Sequence, residues 1–130
     1  MELARDRYAN YTLDSEHNVI ELEWLETTAG MTEDDFRAGL SRLADLAESH
    51  PHAALLIDVR RFAYSPAADN LEWRDRTIIP RYNAAGVRKQ GFLVPPGSSQ
   101  AFARMPQGAA AFPYGYFESR EQIDAWITEP

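Results

Sequence analysis

Apolar and polar positions alternate most cleanly over Val19 to Leu25, where Ile20, Leu22 and Trp24 interleave with Glu21 and Glu23. A period of two with acids on one side is the pattern of a strand that is wet on one face. The shorter aromatic stretch Tyr8 to Leu13 joins it through polar Asp14 to Asn18, which predicts an antiparallel hairpin. Thr27 to Gly30 breaks the pattern. Thr32 then suits a helix N-cap, and Glu33, Asp34 and Asp35 fill the first turn, where acids complement the helix dipole. Phe36, Leu40, Leu43 and Ala47 recur at helical spacing, and Ser49, His50 and Pro51 close the helix.

Ala53 to Val59 is a nearly continuous apolar run with Asp58 near its end, which predicts a central strand buried on both faces. An irregular stretch from Arg60 to Ala68 holds Phe62, Tyr64 and Pro66. Asp69 to Tyr82 predicts a second helix with Leu71, Ile78 and Tyr82 on one face, and Pro80 inside it should end or kink it. Lys89 to Val94 is a further strand, stopped by Pro95, Pro96 and Gly97. Ser98 or Ser99 would cap a short helix running to Met105, and Pro106 to Gly108 would turn the chain. A last strand lies within Ala109 to Phe117, where Pro113 and Gly115 suit an edge. Ser119 and Gln122 match a capping box, with Phe117 as a staple, ahead of the apolar face Ile123, Trp126 and Ile127. The expected product is one α/β domain over 1–130. An opening β-hairpin leads into βα units, giving a mixed sheet of about five strands covered by about four helices, with right-handed crossovers.

This order, together with "MTEDDF" (Met31 to Phe36), "LLIDVRRF" (Leu55 to Phe62) and "YFESREQIDAWI" (Tyr116 to Ile127), resembles the SpoIIAA-like (STAS/SEC14-type) domain family of bacteria. The resemblance covers most of the chain and rests on element order and hydrophobic placement. It implies a non-catalytic regulatory domain that binds a protein partner or a small ligand, as a monomer or a homodimer. Its SEC14 side implies a carrier of a lipid or other apolar molecule. Anti-sigma-factor antagonists of the STAS superfamily carry an Asp-Ser-Ser-Gly type motif after the central strand. Here that loop reads Tyr64-Ser65-Pro66-Ala67-Ala68-Asp69, with Ala67 and Ala68 where the serines would fall, so the phospho-switch does not transfer.

Composition narrows the chemistry. At 130 residues the chain can bury one core. It has no cysteine, which removes disulfides, thiolate metal sites and cysteine nucleophiles. No apolar h-region opens it and no run approaches the ~20 residues of a membrane span, so a cytoplasmic protein is expected. The net charge of -7 argues against nucleic acid as a partner. That charge is uneven: residues 1–59 carry -9, residues 60–89 carry +4 and residues 90–130 carry -2. The basic island reads first as solvated helix faces with i,i+4 partners, and otherwise as an anion patch.

No Gly-x-Ser-x-Gly elbow, P-loop or Rossmann glycine pattern is present, and the sequence calls for no cofactor or metal. His50 and His52 flank Pro51 without a third ligand at recognisable spacing, and His17 sits in the hairpin loop. Pro95 to Ser99 offers backbone N–H groups at a helix start, read as capping. Glu21 and Glu23 share a strand face, as on any solvated sheet. Asp58 ends the central strand, where open α/β sheets place ligands, so Asp58, Arg60, Arg61, Tyr64 and Ser65 are candidate binding residues. The bland alternative is that Asp58 caps backbone N–H groups or pairs with an arginine. Tyr64, Trp73, Tyr82, Phe102, Phe112, Tyr114 and Tyr116 exceed what one small core readily hides. Trp73 and Tyr114 therefore join the candidates for an apolar pocket or subunit contact, whose best-placed part is Met105, Phe112, Pro113 and Tyr114; the alternative is that these rings simply cover the sheet.

Overall fold

The computed structural model describes residues 1–104 and 107–129. Among them, six strands form one sheet in the sequential order β1-β2-β3-β4-β5-β6. β1 (Glu2–Arg5), β2 (Ala9–Asp14) and β3 (Val19–Trp24) are antiparallel neighbours. β3, β4 (Ala54–Asp58), β5 (Lys89–Leu93) and β6 (Tyr114–Phe117) run parallel. The sheet therefore has one strand more than the five expected. The additional one is β1, a four-residue edge strand with a register shift between Glu2 and Ala4. A short, charged, half-exposed edge carries no alternation to read, which is also how edges avoid further pairing. The hairpin β2–β3 forms as expected. Asn18 takes a positive φ of 53°, and the Asp14 carboxylate accepts from the N–H groups of Glu16 and His17.

α1 (Glu33–Ser49) starts on the anticipated cap. Thr32 Oγ1 accepts from Asp35 N–H, and the Asp35 carboxylate accepts from Thr32 N–H. The stretch 68–84 is helical throughout, as α2 (Ala68–Trp73), a π-helical turn (Arg74–Ile78) and α3 (Ile79–Ala84). Pro80 thus neither ends nor breaks this rod. It cannot donate to the Arg76 carbonyl, and its ring would crowd that carbonyl in an α-helix. The helix widens instead, and Ile79 N–H donates to Arg74 O, five residues back. α4 (Ser99–Ala103) is shorter than expected, and its anticipated end at Met105, like Pro106 of the following turn, lies outside the described residues. Neither serine caps it by accepting a bond: Ser98 Oγ donates to Pro95 O, while Ser99 donates through both N–H and Oγ to Glu118. Ser119 caps α5 (Arg120–Ile127) by accepting from Gln122 N–H.

The three parallel crossovers step across the sheet in one direction, so a single crossover hand lays α1, α2–α3 and α4 on one face. Tyr11, Ile20, Leu22, Leu55 and Ile57 point into that layer. Among the described residues, the other face is covered by α5, with Ile123 and Ile127 packed on Val19, Ala54, Leu56 and Leu93. Gly91 in β5 permits this close approach, since a Cβ there would lie 3.0 Å from Ile123. Of the described residues, no helix is long and apolar enough to cross a membrane.

On the crowded face, the Trp24 ring stacks on Phe36 at 6.2 Å and lies 5.1 Å from Phe62. Gly39 of α1 meets its edge: a Cβ there would sit 2.6 Å from Cη2 of Trp24, and Tyr11 OH donates to Gly39 O at 3.1 Å. With Trp24 wedged between rings, Gly39→Val should cost about 2 kcal/mol or more in urea unfolding, an overpacking penalty. Gly30→Ala, with nothing within 4 Å, should stay within about 0.5 kcal/mol of the parent protein. Equal midpoints for the two variants would show that α1 does not seat on Trp24.

Candidate functional site

The alternation of β4 places Ile57 and Val59 on the three-helix face and Asp58 on the α5 face. Beyond Val59 the chain turns, with Phe62 N–H donating to Val59 O. It then keeps a period of two through the loop: Phe62, Tyr64 and Pro66 lie half-buried, while Arg61, Ala63, Ser65 and Ala67 are exposed. A 3-10 turn (Glu26–Gly30) anchors this loop through buried Thr28, whose Oγ1 accepts from Ala63 N–H at 2.8 Å.

The result is a cleft of about 440 Å³ between the sheet, α1, the helical rod 68–84 and α4. Aromatic rings from opposite walls define it. Phe36, Phe62 and Tyr64 cluster with centroids 5.5–6.2 Å apart on one side. Phe92 and Tyr116 stack at 5.0 Å on the other, with Phe102 of α4 at 6.3 Å from Tyr116. Such a size and lining are those of a small-molecule site. Its polar groups are few. The π-helical turn brings Arg74 to the wall, the one charged lining residue among those described, with Nε and Nη2 both on Asp75 Oδ1. Gln107 Nε2 donates to Tyr116 OH at 3.2 Å. Burial pushes the Tyr116 phenol above its ordinary value, against a smaller opposing effect from Gln107. Gln90 and Gln107 are 4% and 3% exposed, and the Oε1 atom of each has no hydrogen-bond partner among the described residues.

The candidates from the sequence fall into three places. Tyr64 and Ser65 line the cleft. Trp73 is half-buried against the core, under the Arg37 guanidinium at 5.1 Å. Arg37 Nε donates to Asn70 Oδ1, and Asn70 Nδ2 donates to Tyr64 OH, so the network braces the cleft wall from behind. Tyr114 is 39% exposed beside Tyr116 on the edge strand β6. Phe112, grouped with it as surface, is instead buried against Tyr82. Met105 lies outside the described residues.

Asp58, Arg60 and Arg61 sit on the opposite face in an ion-pair row. Asp58 is buried, and Arg60 grips it through Nε and Nη2 at 3.0 and 2.8 Å and through its backbone N–H. Arg61 bridges Glu23 and Glu26, and Arg120 holds Glu21 bidentately at 2.8 and 2.7 Å. Three more residues of the basic island reach distant elements. Arg81 clamps Asp45 and Glu48 of α1, while Arg88 and Lys89 donate to the Ile127 and Trp126 carbonyls at the end of α5. These partners come from distant elements rather than from the i,i+4 positions expected. The amides of Gly97 and Ser99 hold the Glu118 carboxylate. The histidines do not converge: His50 Nδ1 faces Leu46 O, and His17 pairs with Asp14.

Sequence reasoning missed Gln90, Gln107, Phe92 and the Trp24–Phe36 wall. Gln90 did leave a signal, being a polar residue in phase with Phe92 and Val94 on the core side of a strand. Gln107 left none. Compared with protein-family models, curated proteins and solved structures, the chain matches none of them.

Burial alone would raise the Asp58 carboxyl, but the Arg60 bonds and charge outweigh it and hold it below the ordinary carboxylate value. A depressed folded value means that the contribution is complete above the unfolded value, near 3.9, and is lost as pH falls through the folded one. Asp58→Asn should therefore cost about 2 kcal/mol at pH 7, with Arg60 half-exposed and partly screened. The gap from the parent should narrow steadily below about pH 4 in urea titrations. A gap independent of pH would mean that the carboxylate charge is not what Arg60 recognises.

Proposed function

We propose that this chain is a non-catalytic binding domain of the SpoIIAA-like kind, and that the cleft facing α1, α2–α3 and α4 holds a small, largely apolar molecule. The observation that carries this reading is the cleft itself, about 440 Å³ walled by aromatic rings from both sides. The hairpin followed by parallel βα units supports the SpoIIAA-like assignment. The non-catalytic reading is supported by the acids at the strand ends. Asp58, Glu21 and Glu23 are each engaged by an arginine, and none of them lines the cleft. A small ligand is favoured over a protein partner because the apolar surface is concave rather than a flat patch.

The test uses N-phenylnaphthylamine, a neutral apolar fluorophore. Its emission should rise on mixing with the protein, and a free concentration a hundred times Kd should stabilise the fold by about 2.7 kcal/mol. Leu71→Trp, which fills the cleft from α2, should weaken binding at least tenfold with the circular dichroism spectrum unchanged. Undiminished binding in that variant would place the probe elsewhere and remove the basis for this reading.

A further inference from the structure

The two amide oxygens of Gln90 and Gln107 stand apart from the rest of the cleft. They come from separate elements, β5 and the segment after α4, yet both side chains line the same cavity. Both are more than nine-tenths buried, and both oxygens are without a partner among the described residues. A glutamine amide can donate and accept. Gln107 spends a donor on Tyr116 OH, leaving its oxygen as an acceptor alone. Buried acceptors of this kind are rare enough to call for a reason.

From this pair we infer the class of ligand: an uncharged, ring-sized molecule that presents hydroxyl or N–H donors to Gln90 Oε1 and Gln107 Oε1 while its apolar body lies between the aromatic walls. The inference rests on the cleft being the binding site. Three observations set the charge and shape. Amide oxygens carry partial negative charge, so they attract donors and repel carboxylates or phosphates. Arg74, the cationic lining residue, already directs Nε and Nη2 to Asp75 and sits in a neutralised pair. The stacked Phe92–Tyr116 pair and the facing Phe36, Phe62 and Tyr64 rings suit a flat apolar body better than a branched one.

The experiment compares three two-ring probes by isothermal titration calorimetry: a naphthalenediol, its dimethyl ether and naphthoate. The diol should bind at least about tenfold tighter than the ether, because only the diol satisfies the two oxygens. That preference should fall in Gln90→Leu and in Gln107→Leu, with affinity for the ether kept or improved. Diol and ether binding alike to the unmodified protein would overturn the inference while leaving the cleft as an apolar site. Naphthoate binding tightest would overturn it in favour of an anion at Arg74. If none of the three binds, the cleft reading falls with it. The diol–ether comparison on the unmodified chain needs no variant, so a glutamine substitution that unfolds the protein does not blunt the test.

Discussion

Every residue from Ala53 to Val59 is buried, so the central strand must be covered on both sides of the sheet. That demand meets a topological one. The parallel crossovers after β3 all advance in the same direction, and one crossover hand sends all their helices to one face. Among the described residues, α5 covers the second face, across Val19, Ala54, Leu56 and Leu93. The faces consequently differ in chemistry. On the α5 face, Glu21 of β3 is engaged by Arg120 of α5 itself and Glu23 by Arg61 from the loop after β4. On the other face three helices converge over large rings, and a cleft opens between them.

The same topology explains the uneven charge. An acidic first half and a basic middle look like separate electrostatic regions along the chain. In the fold, β4 pairs with β3 and the helical rod packs on α1. Arg60 and Arg61 thus meet Asp58, Glu23 and Glu26, and Arg81 meets Asp45 and Glu48. A positive patch inferred from sequence intervals becomes a set of internal pairs. Most are half-exposed and worth little individually, but they fix which helix faces which strand.

Regular elements were legible where one physical signal decided them. Strict alternation in β3, the unbroken apolar run of β4 and the Thr32 cap of α1 appear where the pattern placed them. β1 was not legible, because its strand character comes from pairing with β2 and not from its own residues. The consequence of Pro80 was only half legible. A lone proline signals a lost donor, but whether the helix stops or widens depends on packing, and buried Ile78, Ile79 and Tyr82 hold the rod against the core. The site was legible in part for the same reason. Strand-end logic pointed to the loop after β4, and Tyr64 and Ser65 do line the cleft. It could not say that Asp58 and the neighbouring arginines point to the other side, since face is set by register and Asp58 and Val59 are adjacent residues.

The π-helical turn and the glutamines bear on one another. A π-turn exchanges regular hydrogen bonding for a wider helix, and here it brings Arg74 to the cleft wall. Each unsatisfied buried amide oxygen costs about 1–3 kcal/mol relative to a paired one. Leucine at position 90 or 107 would remove that cost and suit the surrounding rings. Elsewhere α1 and α5 carry side-chain caps, Arg120 pairs with Glu21, and the buried Asp58 of β4 is gripped by Arg60. The departures concentrate around one cavity, which is the distribution expected when a protein retains local instability for binding rather than for folding. An accidental packing defect would scatter them. The π-turn and the two unpaired amide oxygens meet at the cleft, which supports it, rather than the ion-pair row on the opposite face, as the proposed binding site.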